Sequence, residues 1–532
     1  MDVFDVQRRE VDGTRHFAKK RKMDEEQKKI FSTVCSAVKN QENEGDEAER
    51  VRMFVSGSAG VGKSFLIDTL ADELTDLYGR NFFETQPAVV IAASTGIAAL
   101  AVKGQTVHSL LSIPAEDMDN EEYLAPLSEQ ELAKKRAAFA NVRLVIIDEI
   151  SMLPNSMLAK VHARLCEIRG REDLFGGLNV LLFGDLLQLA PIGNRFLKRF
   201  DAEYQPPWIF KGWKPQNPAP DSFANLVSGK NFWESFEPFE LTTNMRQKDD
   251  LQFAEMMFRV RVGNVTEQDL KDLEKRRVSD CSLVDYFLKL EKEDPTVMAL
   301  FSTNQEVHDF NDEMIRRKCE GVQVIPAIDE KMSEASVLEE ERRRKSPVKK
   351  RLTDVSLPES ISVAEGARVM ITWSLNPSAC LVNRATGTLE RIEKDSMGLV
   401  TALIIRFDKS LHELTRIERK SVLFRDGSRA FRRHQFPVVV SFGSTIHKSQ
   451  GLTLSTVLLK PDRIFTGGQF YVGASRAMSL DGLHLAGSPV WMNGIMVDCC
   501  ALGEYNKIRA HIGKQKIKDS TQIPDSFDDF KW

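Results

Sequence analysis

Cysteine is scarce and scattered: Cys35, Cys166, Cys281, Cys319, Cys380, Cys499 and Cys500 are the seven in 532 residues. The number is odd and no Cys-x-x-Cys pair occurs, so neither a disulfide framework nor a zinc ligand set is expected and a reducing compartment fits. No apolar run approaches the ~20 residues that a membrane-spanning helix needs, which excludes a membrane role at this level. The chain opens Met1-Asp2-Val3-Phe4-Asp5 with no apolar leader, so secretion is not expected. Excess positive charge is missing too, with a net charge of −4 and a pI near 6.2. Any contact with a polyanion must therefore be confined to a local groove. The basic cluster Lys19-Lys20-Arg21-Lys22 reads either as a solvated charge run or as a nuclear signal.

What is present describes a globular chain, 42% hydrophobic and 28% charged, too long for one ordinary core. Short apolar runs at residues 53–55, 89–93, 144–147, 180–183 and 239–241 alternate with helical patterns, a βαβ rhythm that predicts a parallel sheet. Phe65, Leu66, Leu70, Leu74 and Leu77 recur at helical spacing and Gly79 closes the pattern, so a buried helix is expected after the first strand. A second βα series is expected at 297–301, 438–441, 457–459 and 483–485. Between its first two members lie a charge-dense stretch at 339–351 and strand patterns at 369–372, 399–407 and 422–424, which read as a small β module. Two stretches, 111–138 and the Pro- and Trp-rich 205–220, read as surface insertions.

Gly57-Ser58-Ala59-Gly60-Val61-Gly62-Lys63-Ser64 fits G-x-x-x-x-G-K-[ST] between a strand and a helix pattern, the context a phosphate loop requires. Glycines let successive N–H groups curl round phosphates, Lys63 reaches the β and γ oxygens, and Ser64 ligates Mg²⁺. A second strand ends in Asp148-Glu149; Asp148 is expected in the Mg²⁺ shell and Glu149 as the base that polarises the attacking water. Gln188, after Phe183-Gly184-Asp185, is placed to sense γ-phosphate, and Gln27 to read the adenine edge.

Beyond the phosphate loop, the chain carries Ala93-Ser94-Thr95-Gly96, Thr106-Val107-His108-Ser109, Asp148-Glu149-Ile150-Ser151-Met152 and Gly184-Asp185-Leu186-Leu187-Gln188. It goes on to Thr445-Ile446-His447-Lys448-Ser449-Gln450-Gly451 and Tyr471-Val472-Gly473-Ala474-Ser475-Arg476. In these motifs, in this order and over roughly residues 23–490, it resembles the PIF-one family of superfamily-one helicases, the RecD-related branch. The resemblance implies an α/β fold of two RecA-like P-loop domains that hold ATP and Mg²⁺ between them. It implies an ATP-dependent 5′-to-3′ DNA helicase acting in replication, recombination, repair and telomere maintenance. The partners it implies are single-stranded DNA, tailed or forked duplex and G-quadruplex DNA, the protein acting as a monomer or associating on DNA. By the same resemblance, Arg246 and Arg476 reach the γ-phosphate and Gly451 adjoins the nucleotide. Thr95, Gly96, His108, Ser109, Thr445, His447 and Lys448 would contact DNA, and so would the segment 469–488, in which Tyr471 either stacks on a base or packs within the protein.

The implied organisation is an N-terminal extension at 1–22, a first domain at 23–245 with a wedge insertion at about 111–138, a second domain at 246–360 and 437–532, and a β-barrel insertion at 361–436. The chain departs from the family pattern at Ala190, Gly473 and Arg384. Arg384 stands where glycine is usual, which puts the turn geometry of the β module in question. Open alternatives are a translocase that does not unwind, a mobile-element helicase and a non-motor P-loop scaffold. The nucleus is the expected compartment, with mitochondrion or cytoplasm as alternatives.

Overall fold

A computed structural model of the chain describes residues 11–78, 86–114, 124–191, 206–213, 227, 230–246, 250–278, 282–344, 357–376, 379–408, 413–426, 429–489 and 494–517. Two compact units emerge: one comprises Met1–Asp280, Asp294–Val297 and Ser449–Trp532, the other Cys281–Glu293 and Met298–Lys448.

The first unit is built on six parallel strands: β1 (Arg52–Gly57), β2 (Val89–Ala93), β3 (Gln105–Thr106), β4 (Leu144–Asp148), β5 (Asn179–Gly184) and β6 (Glu237–Leu241), in the order β3-β2-β4-β5-β1-β6. The central strands are almost wholly apolar because both faces are covered. Alternate residues serve opposite faces. Phe54, Val145, Ile147, Val180 and Leu182 enter one core, against Met157, Val161 and Leu165. Met53, Val55, Leu144, Ile146, Leu181 and Phe183 enter the other, against Ile30 and Val34 on one helix and Leu66, Leu70 and Leu74 on another. Those covering helices are α2 (Glu25–Glu44) and α3 (Lys63–Tyr78); α3 stands where the periodicity placed it, with Leu66, Leu70 and Leu74 buried, Phe65 partly buried and Leu77 exposed at its end, and Gly79 lies outside the described residues. Arriving from the C-terminal segment, Val457–Lys460 and Leu483–Leu485 pair in parallel, and Cys499–His511 forms a helix.

The helix α1 (Gly13–Lys22) is fastened to α3 by charge: His16 Nε2 lies 2.5 Å from Glu73, Lys19 pairs with Asp68 and Asp72, and Lys20 lies 2.9 Å from Glu73. Two members of the basic cluster are thus ion-paired within the fold.

The stretch at 205–220, expected on the surface, packs inward over its described part: Trp208, Ile209 and Trp213 are buried, and Trp208 stacks on Phe210 at 5.4 Å between centroids. Apolar burial overrides the turn-rich composition there. In the 111–138 stretch, residues 115–123 lie outside the described set. The helix Glu129–Ala138 is closed by a Ser128/Glu131 capping box, and Lys135 Nζ donates to the Leu110 carbonyl at 2.5 Å.

The second unit is largely antiparallel. Its strands in chain order are β7 (Met298–Phe301), β8 (Gln323–Pro326), β9 (Ile328–Lys331), β10 (Ser360–Val363), β11 (Arg368–Ile371), β12 (Thr386–Lys394), β13 (Val400–Phe407), β14 (Thr415–Ile417), β15 (Lys420–Asp426), β16 (Arg429–Gln435), β17 (Val438–Val440) and β18 (Gly443–Thr445). One sheet runs β14-β13-β12-β11-β17, another β15-β16-β9, and β8 pairs with β10. The β module therefore takes in strands on both sides of 361–436. The triplet β17 was expected in the parallel series but pairs antiparallel with β11; β18, three residues further on, is the strand that pairs in parallel with β7. Periodicity identifies a strand but carries no information on its partner. Here Phe436 and Val438 join the core of the module with Val369, Leu389 and Leu403. Of the charged stretch, Glu334–Arg344 is helical and 345–356 lies outside the described residues.

Candidate nucleotide site

Strand β1 runs straight into the phosphate loop, and α3 begins at Lys63. Gly60 and Gly62 take φ of +90° and +81°, a region open to glycine at little cost. Space reinforces the requirement. A Cβ on Gly60 would stand 2.5 Å from Arg246 Cβ, and one on Gly62 would stand 2.6 Å from Gln27 Nε2. The segment 244–246 closes on the loop, with the Met245 and Arg246 N–H groups donating to the Gly60 carbonyl at 2.7 and 3.2 Å. Gln27 is buried beneath the loop. Its Oε1 accepts from the Asp24 N–H at 3.2 Å and its Nε2 donates to the Val61 carbonyl at 3.5 Å, so it braces the loop as well as adjoining it.

Lys63 Nζ is buried and donates to the Gly57 and Ser58 carbonyls at 2.8 and 3.0 Å. Opposite stand Asp148, at the end of β4, and Glu149. The Glu149 N–H donates to Asp148 Oδ1 at 2.8 Å. Glu149 has φ +53°, costly for a residue other than glycine and frequent at active sites. Its Oε2 is buried without a hydrogen-bond partner among the described residues. Burial, and then the Glu149 charge, push the Asp148 carboxyl upward; Lys63 partly offsets them. Strands β4 and β1 are not neighbours, since β5 lies between them and pairs with both. At the end of β5, Gly184 permits the close approach of Ile150, whose Cγ1 would stand 2.8 Å from a Cβ there.

A cavity of about 320 Å³ is lined by Ala59, Gly60, Gly62, Lys63, Ser64, Asp148, Glu149, Gln188, Arg246, Gly451 and Arg476, with Phe65, Ala98, Ala101 and Met245. Both arginines belong to the unit that carries the phosphate loop. Arg476 is held by Nε to the Val472 carbonyl at 2.8 Å and by Nη1 to the Leu452 carbonyl at 3.0 Å. Burial first and the Arg246 charge second lower it to about 10, which leaves it protonated at neutral pH. Burial also lowers Arg246, against the opposing effects of Tyr471 and Glu149. Gln188 accepts from Gln450 Nε2 at 3.0 Å, and the same amide donates to Ser151 Oγ at 3.3 Å. Gln450 thus belongs with the site beside its neighbour Gly451, a role that only these contacts from distant segments reveal.

Of the two alternatives for Tyr471, stacking on DNA or packing, the structure has packing: the ring is buried and its hydroxyl accepts from the phosphate-loop N–H of Ala59 at 3.2 Å and reaches Asp185 Oδ2 at 3.5 Å. A ring wholly enclosed by protein offers no face for a base. Asp185 is in turn clamped by Arg261, whose Nη2 lies 2.7 Å from Oδ1, and Arg261 sits 4.5 Å over the Tyr505 ring. Burial would raise the Asp185 carboxyl, but the Arg261 charge and hydrogen bonds outweigh it and hold the group below the usual range. No local sequence signal marks Arg261, because its partner is 76 residues away.

The remaining sequence candidates fall into two sets. In the first unit, the β2–β3 register Ala93↔Thr106 sets Thr95 and Gly96 beside His108 and Ser109 at the carboxyl ends of the strands, where ligands of open α/β sheets bind. The Thr95 hydroxyl caps the helix Gly96–Ala101. His108 Nε2 is buried without a hydrogen-bond partner among the described residues, and burial followed by Lys160 lowers its pKa. In the second unit, the Thr445 hydroxyl accepts from the Lys448 N–H at 3.3 Å, which folds 445–448 into one turn with His447.

The sheet, the phosphate loop and the paired acids define a P-loop nucleotide-binding protein with RecA-like domains. Residues 22–203 match the family described as PIF1-like helicase. The chain is 27% identical over 441 residues to the ATP-dependent DNA helicase PIF1 of Mus musculus, covering 81% of this chain and 57% of that one. With the ATP-dependent DNA helicase Pif1 of Bdellovibrio bacteriovorus it shares 28% over 439 residues, 82% and 84% of the two chains. The chain spans 57–58% of the length of its vertebrate relatives. Among solved structures, the Pif1 helicase of Candida albicans aligns with a TM-score of 0.66 at 23% identity, covering 92% of this chain and 99% of that one. A Bacteroides Pif1 bound to single-stranded DNA aligns at 0.63 and 22%, covering 92% and 97%.

Proposed function

We propose that this chain is an ATP-dependent DNA helicase that translocates 5′ to 3′ on single-stranded DNA and unwinds duplex or G-quadruplex DNA in genome maintenance. The observation that carries the reading is the convergence of Lys63, Ser64, Asp148, Glu149, Gln188, Arg246 and Arg476 on one cavity. A scaffold that only bound nucleotide would have no use for a carboxylate that lines this cavity with two arginines and has one buried oxygen without a hydrogen-bond partner among the described residues.

The donor set suits Mg²⁺, which takes hard oxygens from one or two protein groups and completes its shell with water and substrate phosphates. Ser64 and Asp148 would hold it, and it would neutralise charge on the β and γ oxygens. Lys63, already aimed into the loop, exchanges its carbonyl partners for phosphate oxygens. Glu149 takes the proton of the attacking water at its free Oε2. Gln188, fixed by Gln450, orients that water, and Arg246 and Arg476 offer forked donors to the equatorial oxygens of the transferring phosphoryl group. Bound phosphate would draw the Ala59 N–H away from Tyr471 and so pass the state of the site to Asp185 and Arg261.

The relatives' names and the Bacteroides complex with single-stranded DNA support the substrate; the family resemblance alone supports the polarity. The hydroxyls and backbone N–H groups at the strand ends suit phosphates more than bases, so binding should tolerate sequence. Residence in the nucleus is proposed as well, though Lys19 and Lys20 are engaged by α3. No helix among the described residues is long and apolar enough to cross a membrane. The test is strand separation on matched duplexes with a 5′ or a 3′ tail, with Lys63→Ala as the blank. Unwinding from the 5′ tail alone, lost in the variant, is expected. DNA-stimulated hydrolysis without unwinding would mean a translocase, and no hydrolysis a scaffold.

A further inference from the structure

The turn at residues 382–385 joins the irregular segment after β11 to β12. The Ala385 N–H donates to the Val382 carbonyl at 2.9 Å, and the Arg384 N–H donates to the Ile371 carbonyl at 2.8 Å. Arg384 occupies the third position with φ +76°, where a tight turn ordinarily calls for glycine. The chain therefore accepts backbone strain to carry a long cation at this point. The guanidinium lies half-buried against the 446–449 turn, and its one hydrogen bond among the described residues, Nη1 to the His447 carbonyl, is long at 3.5 Å. With five N–H donors on the group, most of its capacity is unused. Lys448, on the same turn, is half-buried as well. Among the described residues no carboxylate pairs with either side chain. Burial lowers both pKa values, and for Lys448 the Arg384 charge lowers it further. Two like charges held together, partly desolvated and without a counter-ion, are costly unless an anion joins them.

We propose that Arg384 is a DNA-binding residue of this protein, which together with Lys448 grips one backbone phosphate of single-stranded DNA. The inference rests on the helicase reading. A guanidinium fork and an ammonium point charge approaching one phosphodiester divide the work of orientation and charge, and the contact reads no base.

The experiment compares the parent chain with Arg384→Gly and Arg384→Lys in binding oligothymidylate over a salt series, alongside thermal melting. The glycine variant should bind severalfold more weakly, with a log-affinity against log-salt slope shallower by about 0.7, the loss of one single-strand phosphate contact. It should melt no lower than the parent, because glycine relieves the positive φ and one of two repelling cations is gone. Arg384→Lys should keep most of the slope. A glycine variant that binds and responds to salt like the parent overturns the proposal, as does one whose weaker binding comes with a lower melting temperature. If the parent itself fails to bind the oligonucleotide, the helicase reading falls. The cation pair is then judged with inorganic phosphate: a rise in melting temperature in the parent but not in Arg384→Gly sustains an anion site, and no difference removes it.

Discussion

Around the phosphate loop, three cations, Lys63, Arg246 and Arg476, face two carboxylates, Asp148 and Glu149, across one cavity. Around the 446–449 turn, two cations, Arg384 and Lys448, face no carboxylate among the described residues. The first arrangement is close to charge balance before a ligand arrives and is braced by many backbone hydrogen bonds, so its chemistry depends on geometry. The second gains its compensation only from outside and carries strain at Arg384. Removing a charge from the first should damage catalysis; removing one from the second should relax the fold while weakening DNA binding.

That contrast can be broken at several points. The largest effect is expected for Arg246→Ala, which should lower the rate of ATP hydrolysis by about 10³–10⁵-fold with nucleotide affinity reduced far less; equal losses in both, measured by steady-state kinetics and equilibrium binding, would make Arg246 a binding residue only. Glu149→Gln should cost about 10²–10⁴-fold in turnover and leave a chain that binds ATP and holds it unhydrolysed, detectable by single-turnover assay.

Next comes Asp185→Asn. It leaves Arg261 buried without its counter-charge and should destabilise the first unit by about 3–5 kcal/mol, read from denaturant midpoints. The sign of the pH dependence follows from the carboxyl lying below its ordinary value. The stabilisation is whole above the unfolded value of 3.8 and is lost as pH falls through the lower folded value.

A smaller, graded effect is expected from His162, which accepts the Phe175 N–H at 3.0 Å and is lowered to about 4 by burial first and Lys230 second. Because the unfolded chain takes up this proton more readily, stability should be full above 6.5 and fall by up to about 1.4 kcal/mol per pH unit towards 4. In His162→Gln, denaturation followed from pH 7 to 4 should lose that slope; an unchanged slope would assign it elsewhere.

Much of the nucleotide site was legible because it is written locally. Gly60, Gly62, Lys63 and Ser64 are neighbours in sequence, and the run at 144–147 delivers Asp148 and Glu149 at a strand end. Trp208 and Trp213 were misread because a turn-rich composition says nothing about where a ring packs. The strand at 438–440 was assigned the wrong direction because its three valines suit either sheet. The inward turn of Tyr471 depends on Asp185, Arg261 and Ala59, none of which its own segment contains.

Five of the six strands of the first sheet, the helix α3, the phosphate loop and the identity of the reactive groups follow from the sequence, since each is set by side-chain period and steric rules acting over a few residues; β3 is too short, and α2 too polar, to be read that way. Only the tertiary structure decided that β5 stands between β1 and β4, that Asp185 meets Arg261, and that Arg384 meets the turn bearing Lys448, 63 residues beyond it to His447. Those pairings join distant segments, and their energies arise from burial and charge that exist only once the segments are packed together.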